Sequence, residues 1–247
     1  MQLFVRISWI FLLAAIGITW CVRDRLDTVS EIHSEAGLEP TQTRLTNAPA
    51  FTFSRNGYAY EVEPLFQYIL RGLVVHRLDY SWFSIDRSEQ AFPLDLCVIW
   101  GGNLSNGLHR AETLHFSQDC RWCWAQWHGQ LGFHMDELSN NHLLVDDPAL
   151  ERQLQQIRTG DQIKLTGQLV NVKARATSAV GQYDSPVSVW KTSTTRTDSG
   201  AGACEVIYVT GIEILKPGNP LARWLYRLAG YSLLIFAGWR LVVFFRN

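Results

Sequence analysis

Two apolar segments, one near each end of the 247-residue chain, constrain its fold more than any other feature. Residues 7–22 contain no charged side chain, and Arg6 and Arg23 flank them. In a helix this segment extends about 24 Å, close to the thickness of a bilayer core. Residues 18–20 lack the small side chains of a peptidase cleavage site, so we predict an uncleaved transmembrane helix, with a signal peptide as the alternative.

The second apolar segment, residues 221–245, contains arginines at both of its edges. Arg227 and Arg240 are about 20 Å apart along a helix, so their side chains can extend toward opposite headgroup layers. Trp224 and Trp239 suit the aromatic belts at membrane interfaces. We predict a second transmembrane helix here, with a buried or interfacial amphipathic helix as the alternative.

Two spans place both termini on the same side of the membrane and leave residues 1–6 as a short N-terminal tail. The basic residues nearest the spans favour a cytoplasmic domain. A loop of about 200 residues is nevertheless translocated largely regardless of its charge. We therefore expect a two-pass membrane protein whose globular domain is extracytoplasmic.

Between the spans, a polar segment precedes a β-rich domain. Residues 23–50 carry few large apolar side chains and are predicted to form a polar linker. Residues 51–216 contain alternating or apolar runs typical of strands, and Pro64 is expected to end the first of them. The predicted strands are 58–63, 66–75, 94–100, 162–172 and 205–215, and residues 174–203 are predicted to form a long hairpin or loop.

One helix is predicted within this domain. Asp147 suits the N-cap, Pro148 the first helical position and Gly160 the residue after the C-terminus. The following segment, GDQIKLTGQLV, resembles the opening strand of OB-type barrels, where a glycine in mid-strand lets the sheet bend. The predicted fold is therefore mainly β with one or two helices, an OB-like barrel or a sandwich, flanked by the two transmembrane helices.

The cysteines of the domain are Cys97, Cys120, Cys123 and Cys204. In an extracytoplasmic domain this even number makes disulfides plausible, and three pairings are open. Cys97 lies in an apolar run, which is also typical of an unpaired, buried cysteine. Cys120 and Cys123 have the spacing of a redox pair, but no thioredoxin-like pattern surrounds them.

Five histidines between His109 and His142 lie near this cysteine pair. Zinc prefers tetrahedral sets of cysteine and histidine ligands. A candidate zinc set is therefore Cys120, Cys123, His128 and His134. The competing interpretation is a local disulfide among scattered histidines. No cofactor is predicted other than this candidate zinc ion.

Two further polar clusters suggest chemistry. Ser139-Asn-Asn-His142 is typical of a turn, although His142 is also a candidate general base with Asn140 or Asn141 orienting it. The glycine-rich residues 200–203 precede Cys204 and are typical of a hairpin. They also suggest a membrane-bound hydrolase or thiol enzyme in which Cys204 attacks a carbonyl and His142 acts as base.

The balanced charge, with a net value of −1, gives no reason to expect nucleic acid as a partner. The leading hypothesis is a non-catalytic module, tethered to the lipid bilayer through two helices, that recognises another membrane or envelope protein. Its candidate contact residues are Trp122, Trp124 and Trp127, because tryptophan is enriched at contact hot spots. An alternative places these rings in the core.

Overall fold

The computed structural model describes residues 2–80, 91–119, 122–177, 187–198, 200 and 202–246, with the backbone alone for residues 2–6 and 244. Helix α1 (Gln2–Val22) and helix α4 (Pro220–Arg246) occupy the two ends, and two short helices, α2 (Gly101–Ser105) and α3 (Pro148–Leu154), lie between them. The strands are β1 (Thr41–Arg44), β2 (Phe51–Arg55), β3 (Tyr58–Asp79), β4 (Leu94–Ile99), β5 (Leu114–Asp119), β6 (Trp122–Trp127), β7 (Leu138–Leu144), β8 (Gln162–Ala176), β9 (Ser188–Trp190) and β10 (Glu205–Lys216). The prediction of a mainly β domain is confirmed.

Five of these strands pair in a closed ring. The order is β3, β4, β7, β10 and β8, and β8 pairs again with β3. Strands β7 and β10 are parallel, and the other neighbours in the ring are antiparallel. Strands β1, β2 and β9 extend the sheet, while β5 and β6 form a separate hairpin. Closing the ring pairs each of its five strands on both sides and encloses an apolar core built from residues such as Leu70, Leu96 and Ile207.

Strand β8 approaches its antiparallel neighbour β10 closely at Gly167. A Cβ atom at this position would lie 2.3 Å from the Tyr208 carbonyl oxygen. Only glycine permits such an approach, so the mid-strand glycine has the role expected from the sequence. GDQIKLTGQLV is, however, the fourth strand of the ring in chain order, not its opening strand.

Strand β3 differs from its prediction because it does not end at Pro64. It runs unbroken from Tyr58 to Asp79, and its pairing with β8 shifts register between Pro64 and Phe66. A bulge leaves a position without a ladder hydrogen bond, which is where a strand tolerates proline. The two strands predicted on either side of Pro64 are therefore one.

Residues 23–50, predicted as a polar linker, are packed against the barrel. Val29 and Ala36 are buried in a cluster with Leu73 and Ile99. The Gln162 side chain accepts a hydrogen bond from the His33 N–H and donates one to the Glu31 carbonyl oxygen. A few small apolar side chains and backbone hydrogen bonds thus order a segment that composition alone marks as loose.

Helices α1 and α4, from opposite ends of the chain, pack side by side as an antiparallel pair, which we call the α1–α4 hairpin. The Trp9 and Phe236 rings are 5.2 Å apart near one end, and the Trp20 and Tyr226 rings are 5.7 Å apart near the other. Both helices form where the sequence predicts them. Within the described residues, however, no helix combines the length and the apolar composition needed to cross a membrane. The transmembrane part of the prediction is therefore unsupported.

Arg223 connects the base of this hairpin to the barrel. Its guanidinium donates hydrogen bonds to Asp161 Oδ1 at 2.5 Å and to the Thr159 carbonyl oxygen at 2.7 Å. Asp161 is 1% exposed and also accepts from the Gly218 N–H. A buried carboxylate that is paired and hydrogen-bonded in this way fixes the direction in which the hairpin leaves the barrel.

Gly167→Ala tests the close approach of β8 to β10. We expect a loss of about 2–3 kcal/mol in the free energy of unfolding, because the added Cβ displaces the Tyr208 backbone. Urea denaturation measures this loss. Gly211→Ala on β10 is the matched control, since its Cβ would make an ordinary 3.8 Å contact with Thr166. Equal effects of the two substitutions would contradict the assignment.

Candidate functional site

Asp95 on β4 and His142 on β7 form a buried pair. They are register partners on neighbouring strands, so both side chains point to the same face of the sheet. His142 Nδ1 lies 2.8 Å from Asp95 Oδ2, and the Tyr80 hydroxyl donates to the same oxygen at 2.9 Å. Asp95 is 1% exposed and His142 is 6% exposed. The Asp95 carboxylate thus fixes the orientation of the imidazole ring.

The charge of Asp95 controls the protonation of His142. Burial acts most strongly and lowers the pKa of His142, because it disfavours the charged ring. The charge and hydrogen bond of Asp95, together with a hydrogen bond to Cys204, outweigh burial and raise that pKa to about 9. His142 is therefore protonated near neutral pH.

Cys204 lies on the other side of the His142 ring, directly before β10. Cys204 lies close enough to the His142 ring to help raise its pKa, and since Asp95 occupies Nδ1, Nε2 is the ring nitrogen that can interact with the sulfur. Asn140 Nδ2 also donates to Cys204 Sγ at 3.3 Å. The parallel pairing of β7 with β10 places these side chains together, because Asn141 is in register with Glu205. A carboxylate, an imidazole and a partly exposed thiol therefore form one chain.

The thiol opens into a cleft of about 670 Å³. Its walls come from the β5–β6 hairpin, the start of β7 and the segment before β10. Trp122 and Trp124 are 38% and 45% exposed, and their rings stack 5.9 Å apart on one wall. The lining residues are Trp122, Cys123, Trp124, Ala125, Met135, Asp136, Leu138, Asn140, Arg196, Thr197, Asp198, Gly200, Ala203 and Cys204.

Two of the three candidate tryptophans thus face the cleft. Trp127 is half-buried and packs against Phe133 with ring centroids 5.4 Å apart. Trp122 and Trp124 belong to a surface, and Trp127 belongs partly to the packing of the hairpin. Whether the exposed pair contacts a partner remains a prediction.

Cys97 and Cys123 form a disulfide, with Cα atoms 5.9 Å apart. The reading of Cys97 as an unpaired cysteine is therefore wrong, because the β5–β6 hairpin folds back over β4 and brings Cys123 to it. Cys123 is consumed in this bond, which removes it from the candidate redox pair and from the candidate zinc set. Cys120, the other cysteine of both, lies outside the described residues.

His128 and His134, the remaining members of that zinc set, lie on either side of Phe133 in a segment without regular secondary structure. Across the part of the chain that is described, no three histidine, cysteine or acidic side chains converge as metal ligands. The proposed zinc site therefore finds no support in the geometry.

Ser139 to His142, interpreted from the sequence as a turn, lie instead within β7. Asn141 donates to the Leu96 carbonyl oxygen and to Ser139 Oγ, and so satisfies buried groups. The residue that orients His142 is Asp95, which the sequence reasoning missed. One signal for it existed: a lone carboxylate inside the apolar run 94–100 requires a buried partner.

On the opposite face of β10, Glu205 is buried beside Tyr68 and Arg196. Burial is the largest effect and, with the charge of Asp198, raises the pKa of Glu205 to about 8, although the charges of Arg196 and His142 oppose it. Glu205 Oε2, the Tyr68 hydroxyl and Arg196 Nε have no hydrogen-bond partner among the described residues. Ionising Glu205 therefore costs free energy in the folded state.

Glu205→Gln tests this burial through the pH dependence of stability. The pKa of Glu205 is about 8 in the folded protein and roughly 4.3 in the unfolded chain. The native state therefore holds a proton that the unfolded state loses, and wild-type stability falls as pH rises from about 4 to 8. The variant should lack this fall and exceed wild type by on the order of 5 kcal/mol at pH 8.5.

Urea denaturation at pH 5 and pH 8.5 measures the difference. Glu213→Gln on the exposed side of β10 is the control, and its effect should be the same at both pH values. A pH-independent effect of Glu205→Gln would contradict the raised pKa.

Comparison with known proteins supplies no relative for this arrangement: no protein-family model, no curated protein and no solved structure matches the chain.

Proposed function

We propose that the domain is a thiol-dependent acyl-transfer enzyme, a hydrolase or transferase, with Cys204 as nucleophile. The observation that carries this proposal is the ordered chain from Asp95 through His142 to Cys204 at the floor of an open cleft. A nucleophile, a base and a group that orients the base are the parts that such catalysis requires. Because the imidazole is protonated near neutral pH, the sulfur accepts its N–H and the proton is ready for a leaving group.

The step that these residues support is acyl transfer through a thioester. Cys204 Sγ, as the thiolate that has given its proton to His142, attacks the carbonyl carbon of an ester or amide, and the C–S bond forms as electrons move to the oxygen. The carbonyl then reforms, the bond to the leaving group breaks, and His142 Nε2 supplies the proton that the leaving group needs. Water or another acceptor, deprotonated by His142, cleaves the thioester in a second step. Asp95 positions the ring and stabilises its positive charge.

The first test uses p-nitrophenyl acetate as an activated acyl donor. We expect a burst of about one equivalent of p-nitrophenol and an acetyl group on Cys204, detected by mass spectrometry. Cys204→Ala should abolish the burst, and His142→Gln should slow it by about 100-fold or more. Cys21→Ser removes the cysteine of helix α1, which lies outside the site, and should change nothing. An equal burst from Cys204→Ala would overturn the proposal.

We also propose that the α1–α4 hairpin is embedded in a lipid bilayer. Apolar side chains point outward around the hairpin, with Ile10, Phe11, Ile235 and Phe245 all at least 68% exposed. An apolar surface of this extent requires a covering, either lipid or protein. The proposal of membrane embedding is based on the exposed apolar surface of the two helices together, not on the hydropathy of either helix alone. An antiparallel hairpin leaves both termini on the same side.

An extracytoplasmic position of the barrel fits its disulfide. The bond between Cys97 and Cys123 is characteristic of oxidising compartments. The cleft begins beside Cys204, whereas the hairpin follows the far end of β10, which has 12 residues. A strand of 12 residues extends about 40 Å, so the length of β10 separates the cleft from the helices. The substrate we propose is therefore a molecule outside the bilayer, such as part of an envelope protein, and not a membrane lipid.

A second candidate function is recognition of another membrane or envelope protein without catalysis. The exposed, stacked pair Trp122 and Trp124 favours it, because exposed aromatic rings in a cleft are typical of contact residues. The two functions predict different outcomes in the acylation experiment. If Cys204 does not acylate but substitution of both tryptophans by alanine abolishes binding to a partner without unfolding, recognition alone is supported.

For the fold we infer an OB-like barrel rather than a sandwich. In chain order the strands of the ring are β3, β4, β7, β8 and β10. The first, β3, lies between β4 and β8, and the third, β7, is parallel to the fifth, β10. Helix α3 lies between the third and fourth strands. Since such barrels serve many roles, this inference adds nothing to the choice of activity.

Membrane embedding predicts that alkaline carbonate leaves the protein in the membrane pellet. Replacing Ile10 and Ile235 together by arginine should move most of it to the supernatant, because charges in the bilayer core cost several kcal/mol. Leu38→Arg is the control: Leu38 is 51% exposed but lies on the barrel, so this variant should stay in the pellet. Wild-type protein released by carbonate would refute the embedding.

A further inference from the structure

The side chains around Cys204 form a row across four neighbouring strands. His76 on β3 is in register with Cys97 on β4, and Cys97 is in register with Asn140 on β7. Asn140 in turn reaches Cys204 before β10. Register partners point to the same face, so this row forms the floor beneath the β5–β6 hairpin.

The hairpin places a second amide directly on this floor. Gln118 on β5 donates from Nε2 to Asn140 Oδ1 at 2.9 Å, and both residues are buried. Gln118 is in register with Cys123, whose disulfide to Cys97 fastens the hairpin to β4. The strand pairs and the disulfide therefore hold the Gln118 amide against the Asn140 amide.

The contact with Gln118 bears on which end of the Asn140 amide faces the sulfur. A carboxamide has one acceptor end and one donor end. Because Gln118 supplies an N–H to Oδ1, the NH₂ group is left to face Cys204 Sγ, at 3.3 Å. If the amide were reversed, its oxygen would face the sulfur and repel a thiolate.

We propose that Asn140 is a positioning residue for the Cys204 sulfur and that Gln118, held by the Cys97–Cys123 disulfide, sets the orientation of its amide. The inference deepens the proposed acyl-transfer function and depends on it for its role in catalysis. Among the described residues, the charged and titratable groups near the sulfur or lining its cleft are His142 from β7, with Asp95 behind it on β4, and Asp136, Arg196 and Asp198. Asn140 adds an uncharged donor to this set.

The test measures the rate of alkylation of Cys204 by iodoacetamide between pH 5 and 9, in the full-length protein. Asn140→Ala removes the donor and should lower the rate at pH 6.5 about tenfold and move the pH profile to higher pH. Gln118→Glu replaces the N–H by a carboxylate oxygen. The Asn140 amide should then turn its NH₂ group toward Glu at position 118 and present its oxygen to the sulfur, with a similar loss of rate.

The decisive variant combines the two changes. If Gln118 acts through Asn140, Gln118→Glu should lower the rate less than about twofold once Asn140 is alanine. Gln126→Glu, an exposed site on the other strand of the same hairpin, controls for added charge. Replacing both Cys97 and Cys123 by alanine should reproduce the loss, again only while Asn140 is present.

Three outcomes would overturn the inference: no effect of Asn140→Ala, an undiminished effect of Gln118→Glu in the Asn140→Ala background, or an equal effect of Gln126→Glu. Near-ultraviolet circular dichroism separates each from unfolding. Alkylation does not require acyl transfer, so the coupling can hold even when wild type shows no burst with p-nitrophenyl acetate. The failure of this inference and the failure of the proposed function are thereby distinguishable.

Discussion

The contact between Asp95 and His142 is the interaction on which the rest of the site depends. Removing a carboxylate from water costs several kcal/mol unless a partner compensates it. Asp95 is 1% exposed within an apolar strand and depends on His142 and Tyr80 for that compensation. The same contact holds the imidazole toward Cys204. A requirement of folding and a requirement of chemistry are therefore met by one ion pair.

The barrel makes this pairing possible by joining strands that are distant in sequence. Asp95 and His142 come from antiparallel neighbours, and Cys204 arrives on a strand parallel to the second of them. The close approach at Gly167 lets β8 and β10 pair and close the ring behind this face. The disulfide then fastens the β5–β6 hairpin over the same face and turns a flat sheet surface into a cleft.

The sequence predicted what depends on local pattern. The end helices, the β-rich domain, the cap at Asp147 and the strand with a central glycine follow from periodicity and turn chemistry, and Asp147 does accept from the Ala149 N–H. His142 and Cys204 were chosen by residue type, and the fold brings them together. Asp95 and the partner of Cys97 were missed because both depend on strand register, which a single sequence does not specify. Ser139 to His142 were interpreted as a turn because four polar residues in a row are rarely a buried strand. Their burial in β7 depends on partners from β4, which the local sequence does not reveal.

The position of the disulfide along the chain has a consequence for biosynthesis. Cys97 and Cys123 are 26 residues apart, and both emerge from the ribosome well before Cys204. Their bond can close before Cys204 has left the ribosome. Synthesis from the N-terminus therefore favours the pairing of Cys97 with Cys123 over the pairing of either one with Cys204, which enters the structure only with the last strand of the ring.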